Sequence, residues 1–189
     1  MKAPVLYAPD VARGLIGHFI GAIRGGSQYR RASFLLEAAG QRVFPDWFAL
    51  SERPHLLKAL ASAPFDHEGV TTRDRELMEA GVLLGYVLST YSARKLGLRT
   101  TGNAGGTHNL LVHGRGRDFD QMLQLMDRGL YVTELMGQGV NGVTGDYSRG
   151  AGGFWVENGR IQYPVHEVTI AGHLRDMYQK IVDVGSDVD

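Results

Sequence analysis

A histidine on an apolar helix is the first residue whose surroundings could support chemistry. His18 stands in the segment 11–23, VARGLIGHFIGAI, where the apolar residues fill one broad arc of a helix at 100° per residue. Gly14, Gly17 and Gly21 fall on the other side, together with His18. Because this second face has no side-chain bulk, we expect it to accept a neighbouring backbone or to border a cleft.

A metal site at His18 would need further ligands. A helical zinc protease site uses two histidines about one turn apart and a glutamate that activates water. The positions one turn before and one turn after His18 are Gly14 and Ala22, and this helix contains no glutamate. The residues favour a structural or cleft-lining histidine, and a ligand completed from elsewhere is the alternative.

The turn at residues 66–68, Asp-His-Glu, holds two carboxylates and an imidazole. Asp commonly accepts hydrogen bonds from nearby backbone N–H groups in such turns, so we expect this structural role for Asp66. A role of Asp66 and Glu68 in binding is the alternative.

The segment 144–150, TGDYSRG, is the most polar candidate for binding. Its flanking glycines permit positive φ, which would present Asp146, Tyr147, Ser148 and Arg149 to a ligand or a partner. Arg149 could take a carboxylate, such as a peptide terminus, through two hydrogen bonds. The alternative is a rigid loop in which Asp146 and Arg149 pair with each other.

Helices and strands must alternate along the chain to position these residues. The hydrophobic periodicity, caps and turn residues predict strands at 4–8, in two pieces of 73–90 joined at 79–81, and at 108–113, 130–137, 154–165 (a hairpin around 158–159) and 167–172. A helix is the alternative for 73–90. They predict helices from residue 9 to the glycines at 25–26, in part of 34–50, and at 89–97, 118–129 and 173–185. Residues 138–153 are too rich in glycine for regular structure.

Short turns between strands, with helices between groups of strands, predict the α+β class: a β-rich antiparallel sheet with several helices, in one domain over 1–189. The chain has 20 basic and 20 acidic residues, so its charge gives no indication of a nucleic-acid partner. It has no cysteine, no signal-peptide pattern and no apolar run of membrane-spanning length. We therefore expect a cytoplasmic protein without a membrane partner.

Three stretches identify a family. They are GLIGHFIGAI (14–23), SARKLGLRTTGNAGG (92–106) and the long segment 132–172, from VTELMGQGVNGVTGDYSRG to HEVTIAG. Together they closely resemble the PmbA (TldE) branch of the TldD/PmbA family of metallopeptidases, whose members are also called modulators of DNA gyrase. The resemblance implies the C-terminal domain of that fold, with the N-terminal domain and the final strands absent.

The resemblance also implies that the two subunits of the family have different roles. In the TldD branch a helix with His-Glu-x-x-x-His and a later cysteine holds zinc, and TldD–TldE heterodimers cleave peptides or unfolded segments. Laid on this chain, the second histidine falls on His18, Arg13 and Gly14 replace the other two residues, and the cysteine has no counterpart. This chain would thus have no catalytic residue and no metal ligand of its own, with zinc on a TldD-type partner.

The resemblance extends to both polar segments. FDHEGV (65–70) is similar to a loop of both branches, which implies a shared cleft or interface role for Asp66 and Glu68. The TldE-type loop TGDYSRG implies a branch-specific contact with the partner or the substrate. We expect a subunit of a zinc metallopeptidase that contributes to proteolysis. The alternatives are a stand-alone peptide-binding or scaffold protein and a regulator of DNA gyrase.

Overall fold

The computed structural model describes residues 2–187, and its strands form two four-stranded sheets. The first sheet has the order β1 (Val5–Tyr7), β6 (Gly129–Met136), β7 (Asp146–Glu157) and β8 (Arg160–His173). The second has the order β4 (Val82–Leu83), β3 (Arg75–Glu79), β2 (Ala49–Glu52) and β5 (Leu110–His113). The helices are α1 (Pro9–Ile23), α2 (Gly25–Tyr29), α3 (Thr90–Leu96), α4 (Phe119–Met126) and α5 (Leu174–Gln179).

The α+β prediction is confirmed, with antiparallel pairing throughout except that β1 runs parallel to β6. Both predicted hairpin turns are present. Asn158 and Gly159 have φ of 54° and 65°, and Ala80 and Gly81 have φ of 47° and 73°. Two consecutive residues with positive φ are typical of the primed turns whose twist matches that of paired strands.

Helix α1 separates the core from open space. Pro9 occupies the first turn, where its missing N–H costs nothing. Phe19, Ile20 and Ile23 are buried on the apolar arc. The opposite arc faces open space, because a Cβ placed at Gly14, Gly17 or Gly21 would meet nothing within 4 Å, so no neighbouring backbone of residues 2–187 packs against these glycines.

The core is centred on stacked aromatic rings. Phe44 stacks on Phe48 and on Tyr178, with ring centroids 4.2 and 4.7 Å apart, and Phe19 of α1 meets Phe44 edge-on at 5.2 Å. The Tyr178 hydroxyl donates a 2.9 Å hydrogen bond to the carbonyl oxygen of Leu15. These contacts fix α1 between α5 and the second sheet.

The prediction that residues 138–153 lack regular structure is wrong from residue 146 onward. Strand β7 begins at Asp146 and includes Gly150, Gly152 and Gly153. A side chain at Gly153 would overlap the carbonyl oxygen of Tyr131 on β6. Glycine here lets two strands approach closely, and this use of glycine depends on a partner strand that lies elsewhere in the sequence.

Three helix predictions also differ from the structure. The part of 34–50 expected to be helical consists of turns that lead into β2. Gly25 and Gly26 begin α2 instead of only ending α1, and Gly25 packs so closely on Ser92 that no side chain would fit. Helix α5 ends at Gln179, and in the chain beyond it Asp183 forms an ion pair with Arg117. None of the helices in the described part could span a membrane.

Two glycine substitutions test this account of the backbone. We expect Gly81→Ala to lower the free energy of unfolding by at least about 2 kcal/mol, since Gly81 has positive φ and a methyl group would overlap the carbonyl oxygens of Phe44 and Pro45. The control Gly17→Ala lies mid-helix beside open space and should raise it by about 0.5–1 kcal/mol. Urea unfolding followed by circular dichroism measures both, and equal effects would contradict the assigned turn.

Candidate functional site

His18 lies against Tyr147 of β7. The ring centroids are 6.3 Å apart and the ring planes are inclined at 77°, so the contact is edge-to-face. His18 is half-buried, and Tyr147 is only 2 % exposed. The structure thus brings together two residues that the sequence identified separately, at the border of the open glycine face of α1.

Tyr7, at the end of β1, is a member of this cluster that sequence reasoning missed. Its place in the predicted strand at 4–8 gives no sign of this position. Its hydroxyl and that of Tyr147 are both buried, and the two are hydrogen-bond neighbours that influence each other's pKa. No other group of residues 2–187 is bonded to either hydroxyl, which is unusual, since most buried polar groups in folded proteins have full sets of partners. The signal available in the sequence was a tyrosine at the end of a short strand just before the helix.

Arg149 supplies the positive charge of the cluster. It lies two residues after Tyr147, so both side chains are on one face of β7. Its Nε and Nη2 atoms donate to the carbonyl oxygens of Met136 and Leu135 at 3.4 and 3.3 Å. Arg149 forms no ion pair with any carboxylate of the described chain.

Asp146 and Ser148, also in the segment TGDYSRG, do not belong to the cluster around His18. The Thr144 hydroxyl donates to Asp146 at 2.6 Å, so the alternative in which Asp146 pairs with Arg149 is not found. Ser148 is exposed, and its backbone N–H donates to the carbonyl oxygen of Gly139. Alternation along the strand places Asp146 and Ser148 on the face opposite Tyr147.

Burial and one neighbouring charge set the protonation of the cluster. Burial raises the pKa of both Tyr7 and Tyr147, so both phenols stay protonated at neutral pH. Burial also lowers the pKa of His18 from its ordinary 6.5, and Arg149 lowers it further. The cluster therefore consists of two phenols, a neutral imidazole and one guanidinium.

These residues do not fit a zinc ion. A catalytic zinc site uses three protein ligands drawn from His, Asp, Glu and Cys. His18 is accompanied by protonated phenols and by Arg149, whose charge opposes a bound cation. No group of three such ligand side chains occurs among residues 2–187.

The turn at 66–68 has a structural role. Asp66 is 3 % exposed and accepts hydrogen bonds of 2.9 Å from the backbone N–H groups of Glu68, Val70 and Ala104. Glu68 accepts one of 2.8 Å from the N–H of Thr90 at the start of α3. The first of the two alternatives for Asp66 is thus found. These partners do not include the residues around His18, and a binding role of Asp66 and Glu68 stays a prediction.

A buried polar network beside this turn was not anticipated. Glu52, 1 % exposed, accepts hydrogen bonds from Arg75 Nε at 2.7 Å and from Asn103 Nδ2 at 2.8 Å. It also accepts one of 2.6 Å from the backbone N–H of His108. The network fixes the glycine loop 101–106, and it joins three separate segments, so residue spacing alone gave no sign of it.

Comparison with known proteins identifies the family. A family model described as the PmbA/TldA metallopeptidase C-terminal domain matches residues 1–189. The chain belongs to this family. It is 60 % identical to Metalloprotease PmbA of Escherichia coli O157:H7 and 57 % identical to the Metalloprotease PmbA homolog of Haemophilus influenzae, each over 189 residues. The matches cover the whole chain but 42 % of either relative, so it spans about two fifths of their length.

Solved structures of the family confirm the fold. A protein from Bacteroides thetaiotaomicron, described as a proposed modulator of DNA gyrase, is 30 % identical with a TM-score of 0.92, over 99 % of this chain and 44 % of that one. TldE from Thermococcus kodakarensis is 25 % identical with a TM-score of 0.86, over 98 % and 45 % of the two chains. The resemblance to the PmbA (TldE) branch is therefore confirmed.

The hydrogen bonds of Asp66 imply that its contribution to the free energy of unfolding depends on pH. Burial alone would raise its pKa, but the three backbone N–H donors outweigh burial and bring the pKa below the ordinary 3.8. Its ionised form therefore stabilises the fold fully above about pH 4, and this contribution is lost as the pH falls through the lower folded value. We expect Asp66→Asn to unfold at a lower urea concentration at pH 7, and the difference from the wild-type chain to shrink below pH 4. A difference that does not depend on pH would contradict this assignment.

Buried tyrosine hydroxyls give opposite effects in two variants. The double variant Tyr7→Phe/Tyr147→Phe removes two buried hydroxyls that no other group bonds, so we expect the free energy of unfolding to rise by about 1 kcal/mol. Tyr178→Phe removes the hydrogen bond to Leu15 and should lower it by about 0.5–1.5 kcal/mol. Thermal unfolding of both variants measures the difference, and a loss of stability in the double variant would show that these hydroxyls are bonded to a further group in solution.

Proposed function

We propose that this chain is the zinc-free subunit of a cytoplasmic TldD–TldE type metallopeptidase that cleaves peptides or unfolded segments. Membership of a metalloprotease family and the similarity to TldE support a protease subunit. The observation that carries the zinc-free assignment is the company of His18: no group of three ligand side chains occurs among residues 2–187, and the guanidinium of Arg149, on the same side of the structure, repels a cation.

The residues around His18 favour a zinc site on a partner subunit over one in this chain. The resemblance places His18 at a ligand position of the zinc motif, with Arg13 and Gly14 at the two other positions. A lone neutral imidazole beside a guanidinium cannot hold zinc in a catalytic geometry. In the proposed complex zinc would be held by the TldD-type subunit, and the chemistry it would supply there is activation of the attacking water.

The proposed contribution of this chain is to shape the channel in which the substrate lies. The face of α1 at Gly14, Gly17 and Gly21 leaves room for an extended backbone. His18 lines the border of this face, and the guanidinium of Arg149 lies on the same side of the structure. These groups can orient a substrate without taking part in bond cleavage.

Mixing experiments test this proposal. The chain, a TldD-type protein and their mixture are incubated with an unfolded peptide, and cleavage is followed by mass spectrometry while zinc is measured in each purified sample. We expect the mixture to cleave at least several-fold faster than the TldD-type protein, and zinc to copurify with that protein alone.

Full-length PmbA of E. coli serves as the positive control. If it accelerates cleavage and this chain does not, the subunit role is wrong for this chain. Stoichiometric zinc in the isolated chain, with proteolysis that a chelator abolishes, would also overturn the proposal. Peptide binding without any acceleration would favour a stand-alone binding protein.

A further inference from the structure

A cleft between α2 and α3 carries exposed cations at its rim. It has a volume of about 320 Å³ and is bordered by α2, the start of α3 and the glycine loop 101–106. Its lining includes Arg24, Tyr29 and Tyr91, and none of the lining residues belongs to the cluster around His18. A Cβ placed at Gly106 would lie 3.5 Å from Nη2 of Arg24, so this guanidinium lies over the loop.

Two aromatic rings hold further cations beside this cleft. The rings of Tyr29 and Tyr91 meet edge-to-face with their centroids 5.7 Å apart. The guanidinium carbon of Arg30 lies 5.3 Å from the centroid of the Tyr29 ring, and Nζ of Lys95 lies 5.6 Å from that of the Tyr91 ring. Nη1 of Arg30 also donates to the Tyr29 hydroxyl at 3.1 Å. Together these four side chains form one row that crosses from α2 to α3.

The positive charge of this cleft is not neutralised by the described chain. Arg24, Arg30 and Lys95 are exposed, and none of them belongs to an ion pair within residues 2–187. Glu68 approaches the cleft, where it accepts a 2.8 Å hydrogen bond from the backbone N–H of Thr90. Three cations beside this carboxylate leave a positive surplus, so the cleft attracts ligands with negative charge.

The arrangement of the cations favours carboxylates along a peptide over nucleic acid. One face of each tyrosine ring is occupied by Arg30 or Lys95, and the rings meet edge-on, which leaves little room for the stacking of bases. The chain as a whole has 20 basic and 20 acidic residues and so lacks the surplus of positive charge typical of proteins that follow a phosphate backbone. Arginine and lysine pair well with carboxylates. An extended peptide spans about 3.3–3.6 Å per residue, so several residues with acidic side chains can follow the row.

We infer that the cleft between α2 and α3, with Arg24, Arg30 and Lys95 at its rim, binds acidic segments of unfolded peptides. The inference rests on the proposed function, in which unfolded peptides are the substrates, and it names the class of substrate that this chain would bind.

Peptide binding to the isolated chain tests this site without the TldD-type partner. Three fluorescent peptides that share one unstructured sequence are compared by fluorescence anisotropy: a peptide rich in glutamate, its glutamine counterpart and its lysine counterpart. We expect the glutamate peptide to bind about tenfold or more tightly than the glutamine peptide, and the lysine peptide to bind most weakly. The affinity for the glutamate peptide should fall as salt is raised from about 0.01 M to about 0.15 M.

Variants assign the effect to the named residues. Arg30→Gln and Lys95→Gln should each weaken binding of the glutamate peptide about two- to fivefold, and a triple variant that adds Arg24→Gln should weaken it about tenfold or more. The matched controls Arg160→Gln and Lys180→Gln change exposed cations at the start of β8 and after α5, and should leave binding unchanged. Circular dichroism of each variant checks that it is folded.

The possible results are separable from those for the subunit role. Equal affinities for the glutamate and glutamine peptides, or equal losses in the triple variant and the controls, overturn the site. A single-stranded oligonucleotide that binds more tightly than the glutamate peptide, and is weakened by the same triple variant, would show a nucleic-acid surface and overturn it as well. If the chain still accelerates cleavage by the TldD-type protein in these cases, the proposed function stands without this site.

Discussion

Burial of one arc of α1 is the constraint on which the candidate site depends. Phe19 packs edge-on against Phe44, which is itself stacked between Phe48 and Tyr178. Since this contact fixes the rotation of the helix about its axis, the opposite arc with its glycines must face open space. The apolar residues of α1 therefore determine where His18 lies, although none of them belongs to the site.

Electrostatics distinguishes this site from a metal centre in the same position. A metal ion is bound by negative or neutral groups that supply lone pairs. The cluster around His18 is instead composed mainly of hydrogen-bond donors and carries one positive charge. Burial strengthens this character, because it keeps the two phenols protonated and the imidazole neutral. The surroundings of His18 in this chain therefore disfavour a cation.

Local chemistry explains which elements could be predicted from the sequence. The turn at Asn158-Gly159 and helix α3, which Ser89 caps, are determined by residues next to them, so the predicted hairpin and the predicted helix at 89–97 are confirmed. The start of β7 was missed because the role of Gly153 depends on the carbonyl oxygen of Tyr131, which no local pattern reveals. For the site, His18, Tyr147 and Arg149 were identified one by one. Their assembly with Tyr7 depends on the packing of distant segments.

The parallel pairing of β1 with β6 has a consequence for how the cluster forms. Val5 is in register with Leu130, so most of the chain lies between the two strands. Closing so long a loop is slow relative to forming a hairpin such as β7–β8. Tyr7 therefore reaches the cluster only when the N-terminal strand has docked on β6, so the surroundings of His18 and Tyr147 are completed by a pairing between distant parts of the chain.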